Sequence, residues 1–382
     1  MKNLRAVFGL FLCVFSLFSC RLPEEKVEKI KAEVPVIKYQ IPPELQGKVD
    51  RIDKLVRRKI RLGTFNGVVL VADYGNIIYK KAHGFGHYRK KTKINEYSVF
   101  QLASVSKMFT AAAIMKLAQK GLLSFDDTVT KYLPDFPYSQ VTIRNLLNHR
   151  SGLPRYMVIS DEKWPRDTMM NNWDMHELMV KHCPERYYLP NQRFNYQNSN
   201  YAYLALLVEK ISGKKFQFFC RDEIFEPLEM FDTKIFAGKD STDIPNAVYG
   251  HIYRRPRPIG PYENYINGVV GDKGVYSNVH DLLKFDQAWY DEGLFPDSLV
   301  EEAYKPGSPK KRRENYGFGW RMKPFEHDRL IYHYGWWNGF KSAFLRYLDS
   351  RRTIIVLTNR DRSLSLPKEI QEILFEEEIS KP

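Results

Sequence analysis

The sequence predicts an α+β fold in which both ends of the chain contribute to one antiparallel sheet of about five strands, covered by helices. The region 44–82 has the pattern of a helix followed by a hairpin, and strand patterns return from Tyr316 before a final helix. Between them, residues from about 125 to 260 are helical or irregular. Strands at both ends with helices between them favour a shared sheet with an inserted, mainly helical subdomain.

The N-terminal elements follow from apolar spacing. Between Glu44 and Arg61, apolar residues recur at the three- and four-residue intervals of a helix. Two runs rich in Val, Ile and Ala, 67–72 and 77–82, flank the turn 73–76, and this arrangement is typical of a hairpin. We therefore expect a helix that is followed by two paired strands.

The later elements have clear start and stop signals. We expect helices over 142–147, 201–211, 279–290 and 367–377, and strands over 316–322, 330–334, 341–348 and 353–359. The segment Asp272-Lys273-Gly274-Val275-Tyr276-Ser277 precedes the third of these helices.

The helix that begins at Ser104 is the centre of the functional interpretation. Its apolar residues surround it almost completely, and Gly121 marks its end, so it has the pattern of a buried central helix. Ser104 and Lys107 lie three residues apart and therefore on one helix face, with roughly 5–6 Å between their Cβ atoms. A hydroxyl one turn from an amine is an arrangement that can make serine nucleophilic.

The Ser-x-x-Lys pattern alone is weak evidence, because it recurs at Ser160, Ser212, Ser308 and Ser365. Those copies lie in loops or at helix ends, whereas Ser104 opens a long apolar helix. The alternative is a capping serine beside a solvated lysine.

Length and charge narrow the choice of function. The 382 residues suggest about two domains, or one large domain with an insertion. The net charge of +14 includes two basic clusters, 254–257 and 310–313, which we interpret as exposed loops. Attraction to an anionic surface is the alternative. No zinc-finger or RNA-binding signature accompanies them, so nucleic acid is a poor candidate partner.

No Cys or His spacing indicates a metal site, and no cofactor is expected.

The first twenty residues read as an export signal. Lys2 and Arg5 precede an apolar run, 6–18, that is too short to span a bilayer, since spanning takes about 20 residues. The run ends in Leu-Phe-Ser-Cys20, which resembles the lipobox of bacterial lipoproteins. This resemblance implies a lipid anchor on Cys20; a plain secretory signal is the alternative. Arg21 follows where inner-membrane retention would require aspartate, so we expect anchoring at the periplasmic face of the outer membrane if the host has one.

After the export signal, the chain is expected to consist of a tether and one folded domain. Residues 21–45 are charged and contain several prolines, so they are expected to form a tether, and residues 46–378 to form the folded domain. Cys183 and Cys220 would remain in the mature chain, and the sequence leaves open whether they pair.

Three motifs occur in an order that matches a known family. Ser104-x-x-Lys107, Tyr196-x-Asn198 and His333-Tyr334-Gly335 resemble the serine β-lactamase and penicillin-binding protein superfamily. The likeness is strongest to its class C-related branch of DD-peptidases, esterases and β-lactamases. It covers roughly residues 46–378 and implies the corresponding β-lactamase/transpeptidase-like fold.

The resemblance implies a role for each matched residue. Ser104 would attack a carbonyl carbon, Lys107 would take or hold its proton, and Tyr196 would act as a general base. Asn198 would orient Lys107 and bind the substrate amide. The backbone N–H groups of Ser104 and Trp336 would form the oxyanion hole.

The third motif departs from the Lys-Thr-Gly that many members carry. His333 stands in place of lysine, and a neutral imidazole holds a substrate carboxylate less well. Tyr334 carries its hydroxyl farther out than threonine would, while Gly335 is kept. His149, in a turn, is interpreted as structural.

These observations predict a membrane-tethered serine hydrolase that acts through a Ser104 acyl-enzyme on peptide amides or esters, in the manner of a DD-peptidase or esterase. A β-lactamase is the alternative within the same class. A catalytically inactive lipoprotein that binds the cell wall is the alternative from another class.

Overall fold

The computed structural model describes residues 41–238, 244–254, 257–259, 264–310, 314–325, 328–361 and 364–379. They belong to one compact unit, Gln40–Pro382. The expected signal segment, the lipidation site Cys20 and most of the expected tether lie outside the described residues, as do parts of both basic clusters.

Ten helices occur in the described part of the chain. They are α1 (Pro43–Arg61), α2 (Ser106–Gln119), α3 (Ile143–Leu147), α4 (Tyr156–Lys163), α5 (Asn172–His182), α6 (Asn198–Ser212), α7 (Phe216–Cys220), α8 (Val279–Gln287), α9 (Asp297–Ala303) and α10 (Leu366–Ile379).

Fourteen strands occur in the same ranges. They are β1 (Gly67–Asp73), β2 (Asn76–His83), β3 (Phe85–His87), β4 (Thr92–Lys93), β5 (Phe100–Gln101), β6 (Lys234–Ile235), β7 (Ile252–Arg254), β8 (Arg257–Ile259), β9 (Val275–Ser277), β10 (Asn315–Tyr316), β11 (Arg321–Phe325), β12 (Asp328–Trp337), β13 (Phe340–Tyr347) and β14 (Arg352–Thr358).

The main sheet is antiparallel and joins the two ends of the chain, as the sequence predicts. Its strand order is β10-β11-β12-β13-β14-β1-β2. The junction is the β1–β14 pair, in which Val69 lies opposite Val356. The sheet has seven strands where about five were expected.

One extra strand arises because the run predicted as a single strand over 316–322 is interrupted. Tyr316 ends β10 and Arg321 begins β11, with a turn between them in which Gly319 has φ of +80°. That left-handed conformation is open to glycine at little steric cost, so the chain reverses there and the two halves pair with each other.

Helices cover both faces of the sheet. Every residue of β1 is buried, and its side chains alternate between two cores. Val69 and Val71 pack in the core formed with α1 and α10, whereas Val68 and Leu70 pack in the larger core that contains α2 and α6. A strand that is buried on both faces is expected to be apolar throughout, which is what the sequence of β1 shows.

The first helix begins slightly earlier than expected. Pro43 occupies its first turn, where the missing N–H of proline is not needed. Leu45 is already buried against the sheet together with Ile52 and Val56. Residues 43–45 therefore belong to this helix and not to the tether, a correction to the predicted boundary at residue 46.

The two central helices match their sequence patterns. Helix α2 is buried nearly all round, and its end is followed by Gly121 with φ of +70°. Helix α6 begins at Asn198, three residues before the expected start, and ends at Gly213 with φ of +71°. Glycine in this conformation is a common helix stop.

A buried ion pair joins the sheet to α8. Arg346 of β13 donates to the Asp286 carboxylate, and both side chains are fully buried. Arg346 also donates to the Asp286 carbonyl at 2.9 Å, and Thr353 donates to the same carboxylate at 2.8 Å. The charges are therefore compensated locally, as burial requires.

Among the described residues, no helix has both the length and the apolar character to cross a membrane. Cys183 is exposed and Cys220 is buried, and both are free thiols in the structure.

Candidate active site

The Ser104 segment lies between a short strand and the central helix. Ser104 is in a 3₁₀ turn, Ala103–Val105, that follows β5 and runs into α2. Ala103 has φ of +50°, a conformation that non-glycine residues rarely adopt. Such strained backbone persists only where the surroundings hold it, and it occurs often at functional sites. Ser104 is half-buried and thus partly exposed to solvent.

Two neighbours hold this turn in place. The Leu102 N–H donates to the Val275 carbonyl of β9 at 2.8 Å, and the Ser342 hydroxyl of β13 donates to the Leu102 carbonyl at 2.6 Å. The small sheet β5-β9-β6 and the main sheet therefore both contact the residues immediately before Ser104.

Lys107 is completely buried beside Ser104. Its Nζ lies 3.0 Å from Ser104 Oγ and donates to the Asp272 carbonyl oxygen at 2.7 Å. The structure thus brings together the two side chains that the helical spacing placed on one face.

Tyr196 comes to the same place from a different part of the chain. Its ring centroid lies 5.0 Å from Lys107 Nζ, and it is half-buried just before α6. The ring packs on His149 at 4.2 Å between centroids. The Tyr196 hydroxyl makes no hydrogen bond to any residue that the structure describes, so it is available to a substrate.

His149 packs against the Tyr196 ring and has a structural role. It is fully buried, and its Nδ1 lies 2.9 Å from the Asn200 side-chain nitrogen, so Nδ1 is an acceptor. Burial holds the pKa of His149 well below its ordinary value, and the charge on Lys107 lowers it further. The ring is therefore neutral and provides packing for Tyr196, in keeping with the structural interpretation of this residue.

Asn198 is near the site but does not contact Lys107. Its amide nitrogen lies 3.9 Å from Met157 Sδ, and its buried Oδ1 has no partner among the described residues. Among the described residues Asn198 makes no hydrogen bond to Lys107, whose Nζ donates to the Asp272 carbonyl instead. Asn198 Oδ1 is thus a buried acceptor without a described partner.

His333 is buried under the site and not exposed to a ligand. Its Nδ1 lies 2.8 Å from the Tyr334 carbonyl, so Nδ1 carries the proton. Its Nε2 then accepts from the Tyr316 hydroxyl at 3.0 Å. Burial holds the pKa of His333 well below its ordinary value, and the charges of Arg321 and Lys107 act in the same direction. The ring is therefore neutral, and both nitrogens are already engaged within the protein.

The next residues of β12 alternate between the two faces of the sheet. Tyr334 lies opposite Ala343 of the α1–α10 core and contacts Tyr332, so its hydroxyl is on the face away from Ser104. The expectation that Tyr334 replaces a threonine hydroxyl in the site is wrong. Trp336 follows the same alternation, and its side chain is 69% exposed.

Gly335 is the point of closest approach between β12 and the Ser104 segment. A Cβ at this position would lie 2.2 Å from the Leu102 carbonyl oxygen and 2.3 Å from Ser342 Oγ. Only glycine allows this contact, which packs β12 against Leu102 and Ala103, the two residues immediately before Ser104. Trp337 lies beyond it on the site face, and its indole N–H donates to Asn267 Oδ1 at 3.0 Å.

Two groups near the site were not identified from the sequence. Arg321 places its guanidinium 5.1 Å from the Tyr196 ring centroid, and Asp272 and Lys273 form a buried ion pair behind Lys107. Arg321 is the first residue of β11, in a stretch of sequence that shows no motif. The Asp-Lys pair between two glycines was visible, but nothing in its spacing indicated burial. No group of three or more metal-ligating side chains was found among the described residues.

Fold and site together define a serine enzyme of the acyl-transfer class, with an amine and a phenol beside the nucleophile. The family model described as Beta-lactamase matches residues 52–375. The chain therefore belongs to this family, whose members are serine hydrolases acting by acyl transfer, and the predicted resemblance and fold class are confirmed.

Individual relatives agree with this assignment. Penicillin-binding protein 4* of Bacillus subtilis (strain 168) is 35% identical over 327 residues, which cover 81% of this chain and 72% of the relative. An octameric penicillin-binding protein homologue from Pyrococcus abyssi shares the fold with a TM-score of 0.74 and 24% identity, over 87% of this chain and 78% of that one. The D-amino acid amidase from Ochrobactrum anthropi SV3 shares it with a TM-score of 0.70 and 21% identity, over 89% and 100%.

The close approach at Gly335 leads to a first prediction. In Gly335→Ala, the added methyl group cannot fit against Leu102, so β12 must move away from Ser104. We expect kcat for nitrophenyl butyrate to fall about 100-fold or more, the loss typical of a displaced oxyanion donor. The control is Gly47→Ala in α1, where an added Cβ meets nothing within 4 Å. Equal kcat values for the two variants would show that the contact does not matter.

Proposed function

We propose that this protein forms an acyl-enzyme at Ser104 on peptide amides or esters, in the manner of a DD-peptidase or an esterase. The observation that carries the proposal is the fully buried Lys107 amine, 3.0 Å from an accessible Ser104 hydroxyl and 5.0 Å from the Tyr196 ring. Burying a lysine beside a hydroxyl is costly, and it gives the hydroxyl a base that can accept its proton.

Acylation begins with attack of Ser104 Oγ on the substrate carbonyl carbon. The uncharged Lys107 amine accepts the hydroxyl proton as the new C–O bond forms. Negative charge then develops on the carbonyl oxygen, and the backbone N–H groups of Ser104 and Trp336 are the proposed donors to it. One such donor typically lowers the barrier by about 3–4 kcal/mol.

The leaving group departs when it receives a proton from the Tyr196 hydroxyl, and Lys107 returns a proton to the phenolate. Hydrolysis of the acyl-enzyme repeats these steps in reverse, with water as the nucleophile and Tyr196 as the base. Asn198 Oδ1, which has no described partner, is the proposed acceptor for the N–H of a peptide substrate.

The charges near Tyr196 favour a substrate with a carboxylate. His333 is neutral and buried, so it supplies no positive charge to the cleft. Arg321 does: its guanidinium lies 5.1 Å from the Tyr196 ring and 5.9 Å from the Tyr316 ring, and among the described residues it forms no ion pair. The similarity to a protein named as penicillin-binding is in keeping with an acyl substrate that carries a carboxylate.

A peptidase or esterase is favoured over a β-lactamase by the absence of a second base. Among the described residues, no carboxylate makes a hydrogen bond or ion pair with Ser104, Lys107 or Tyr196. A β-lactamase needs rapid hydrolysis of its acyl-enzyme, and Tyr196 alone would have to activate the water. An inactive wall-binding lipoprotein is disfavoured, because such a protein would gain nothing from a buried lysine beside an accessible serine.

The location of the enzyme is part of the proposal. The leader 1–20 and its Cys20 support lipid anchoring at the periplasmic face of a membrane, with the outer membrane favoured by Arg21. The charged segment that follows would hold the catalytic domain away from the lipid surface.

The acyl-enzyme is tested by intact mass spectrometry of the full chain in detergent. We expect fluorescent penicillin to add its mass to the wild type and not to Ser104→Ala. A long-lived adduct together with turnover of a stem pentapeptide supports a peptidase, and turnover of nitrophenyl butyrate alone supports an esterase. Rapid penicillin turnover would instead identify a β-lactamase. No adduct and no turnover with any of the three would falsify the enzymatic proposal.

The role of Arg321 is tested by comparing two substrates. In Arg321→Met, we expect KM for a stem pentapeptide with a free carboxylate to rise roughly 10- to 100-fold, the range of a lost hydrogen bond to a charged group. KM for the uncharged nitrophenyl butyrate should stay within about twofold. Arg321→Lys, which keeps the charge, should show a smaller rise with the peptide. Equal changes for both substrates would contradict a carboxylate contact.

The anchor is tested in the cells that produce the protein. We expect the wild type in the membrane fraction, with an N-terminal peptide whose mass includes acyl chains on Cys20. Cys20→Ser should lose both properties while its detergent-free form keeps activity. A membrane-bound Cys20→Ser protein would show that another feature provides the anchor.

A further inference from the structure

A group of three polar side chains is buried behind Lys107 and has no step in the reaction just described. Lys273 Nζ lies 3.2 Å from Asp272 Oδ1 and donates to the Tyr156 hydroxyl at 2.9 Å and to the Val269 carbonyl at 3.0 Å. The Tyr156 hydroxyl donates to Asp272 Oδ2 at 3.1 Å. All three side chains are almost inaccessible, with Asp272 1% and Lys273 3% exposed. We call these three residues the ion cluster.

The ion cluster is connected to the catalytic lysine through one backbone atom. Asp272 contributes its carboxylate to the cluster and its carbonyl oxygen to Lys107 Nζ, 2.7 Å away. The carboxylate and the carbonyl belong to the same residue, so any movement that the cluster prevents is also prevented at the carbonyl.

The loop that carries Asp272 is also attached to α2 on both sides of Lys107. Thr110 donates its hydroxyl to the Gly271 carbonyl at 2.7 Å, and Val275 donates its N–H to the Ser106 hydroxyl at 3.1 Å. Gly271 has φ of +96°, and a Cβ there would lie 2.3 Å from the Tyr201 carbonyl oxygen. The loop is therefore tightly packed between α2 and α6.

The hydrogen bond from Lys107 to the Asp272 carbonyl influences how the Lys107 amine is oriented, because an uncharged amine has few N–H bonds to donate. An uncharged Lys107 has two N–H bonds and one lone pair. A carbonyl oxygen can only accept, so the contact with Asp272 uses one N–H. Rotation of the amine is then restricted, and its lone pair can face Ser104 Oγ, 3.0 Å away.

The charges of the ion cluster also act on Lys107. The groups that face Lys107 from other elements are the neutral rings of His149 and His333, the phenols of Tyr196 and Tyr201, the guanidinium of Arg321, and the Asp272–Lys273 pair. Burial lowers the pKa of Lys273, the adjacent Asp272 carboxylate raises it, and the charge on Lys107 lowers it again. The two lysines are therefore close enough to influence each other.

Stability alone does not account for the ion cluster. Replacement of a buried ion pair by apolar residues of similar volume is often neutral or stabilising. Such a replacement would leave the loop buried, but it would remove both the constraint on the Asp272 carboxylate and the balance of opposite charges next to the catalytic amine.

From these contacts, and resting on the proposed acyl-enzyme at Ser104, we propose that Asp272 and Lys273 are positioning residues for Lys107, which they orient through the Asp272 carbonyl and keep in balanced charge. The pair contributes one positive and one negative charge, with Lys273 Nζ 3.2 Å from Asp272 Oδ1. The Tyr156 hydroxyl donates to the second carboxylate oxygen of Asp272, Oδ2, at 3.1 Å.

The proposal is tested by the pH profile of kcat/KM for nitrophenyl butyrate with the full chain. Lys273→Met leaves the Asp272 carboxylate without its cation, which stabilises the Lys107 ammonium, so the acid limb should move to higher pH. Asp272→Asn leaves a second cation beside Lys107, so the acid limb should move to lower pH. Each shift should be about 1 pH unit. The double variant should return to the wild-type limb, with kcat at least about tenfold lower and KM within about twofold.

The matched control is a second fully buried ion pair among the described residues, Asp286 with Arg346. The double variant Asp286→Asn/Arg346→Met removes charges of the same kind far along the chain from Lys107 and should alter neither the pH profile nor kcat. Circular dichroism confirms folding of each variant. If one single variant does not fold, the direction in which the acid limb of the other variant shifts tests the positioning role. If neither single variant folds, the kcat of the double variant tests it.

The outcomes separate this inference from the proposed function. If the wild-type protein is acylated at Ser104 but both single variants have the same acid limb in the pH profile as the wild type, only the positioning role is overturned. A double variant whose kcat equals that of the wild type would also overturn the positioning role. Wild-type protein that is not acylated at all overturns the proposed function and, with it, this inference. Opposite shifts in the two single variants support it, because a merely structural role would not move the limb in two directions.

Discussion

The structure around this active site depends on keeping the Lys107 amine out of water. A fully buried lysine is unfavourable unless its hydrogen atoms meet acceptors and its charge is accommodated. Here Nζ lies 3.0 Å from the Ser104 hydroxyl oxygen and donates to the Asp272 carbonyl, and the aromatic rings of Tyr196 and Tyr201 lie 5.0 Å and 5.7 Å from Nζ. Tyr196 and Tyr201 come from the segment that opens α6, and Asp272 comes from the loop before β9, so burial of this one side chain requires both segments to pack against α2.

Glycine permits the close backbone contacts that this arrangement needs. Gly335 lets β12 approach Leu102, and Gly271 lets the Asp272 loop approach Tyr201 of α6. At both positions a Cβ would overlap a backbone carbonyl oxygen, which cannot move aside as a flexible side chain can. The catalytic segment is thus held between two rigid surfaces, in keeping with the positive φ of Ala103 immediately before Ser104.

In this chain, the third motif, which begins at His333, does not supply the positive charge of the cleft. His333 is neutral, because its Nδ1 donates to a carbonyl and its Nε2 accepts from the Tyr316 hydroxyl, deep in the protein. The charge is instead carried by Arg321 from the neighbouring strand, close to the Tyr196 ring. This division explains why the third motif can lack a lysine while the site still offers a cation to an anionic substrate.

Apolar periodicity by itself determined the buried helix α2, the pairing of the two chain ends in one sheet, and the position of Ser104 and Lys107 on one face, because these follow from local spacing along the chain. The resemblance of three short motifs to a known family, and not periodicity, identified Tyr196 and His333. Only the tertiary structure decided that Tyr334 faces away, that Asn198 leaves Lys107 to the Asp272 carbonyl, and that Asp272, Lys273 and Arg321 belong to the site. The contacts of Lys107 with Asp272 and of Arg321 with Tyr196 join residues more than a hundred positions apart, and the face on which Tyr334 lies is set by the pairing of β12 with β13. Burial and charge of this kind arise from packing, which no local pattern records.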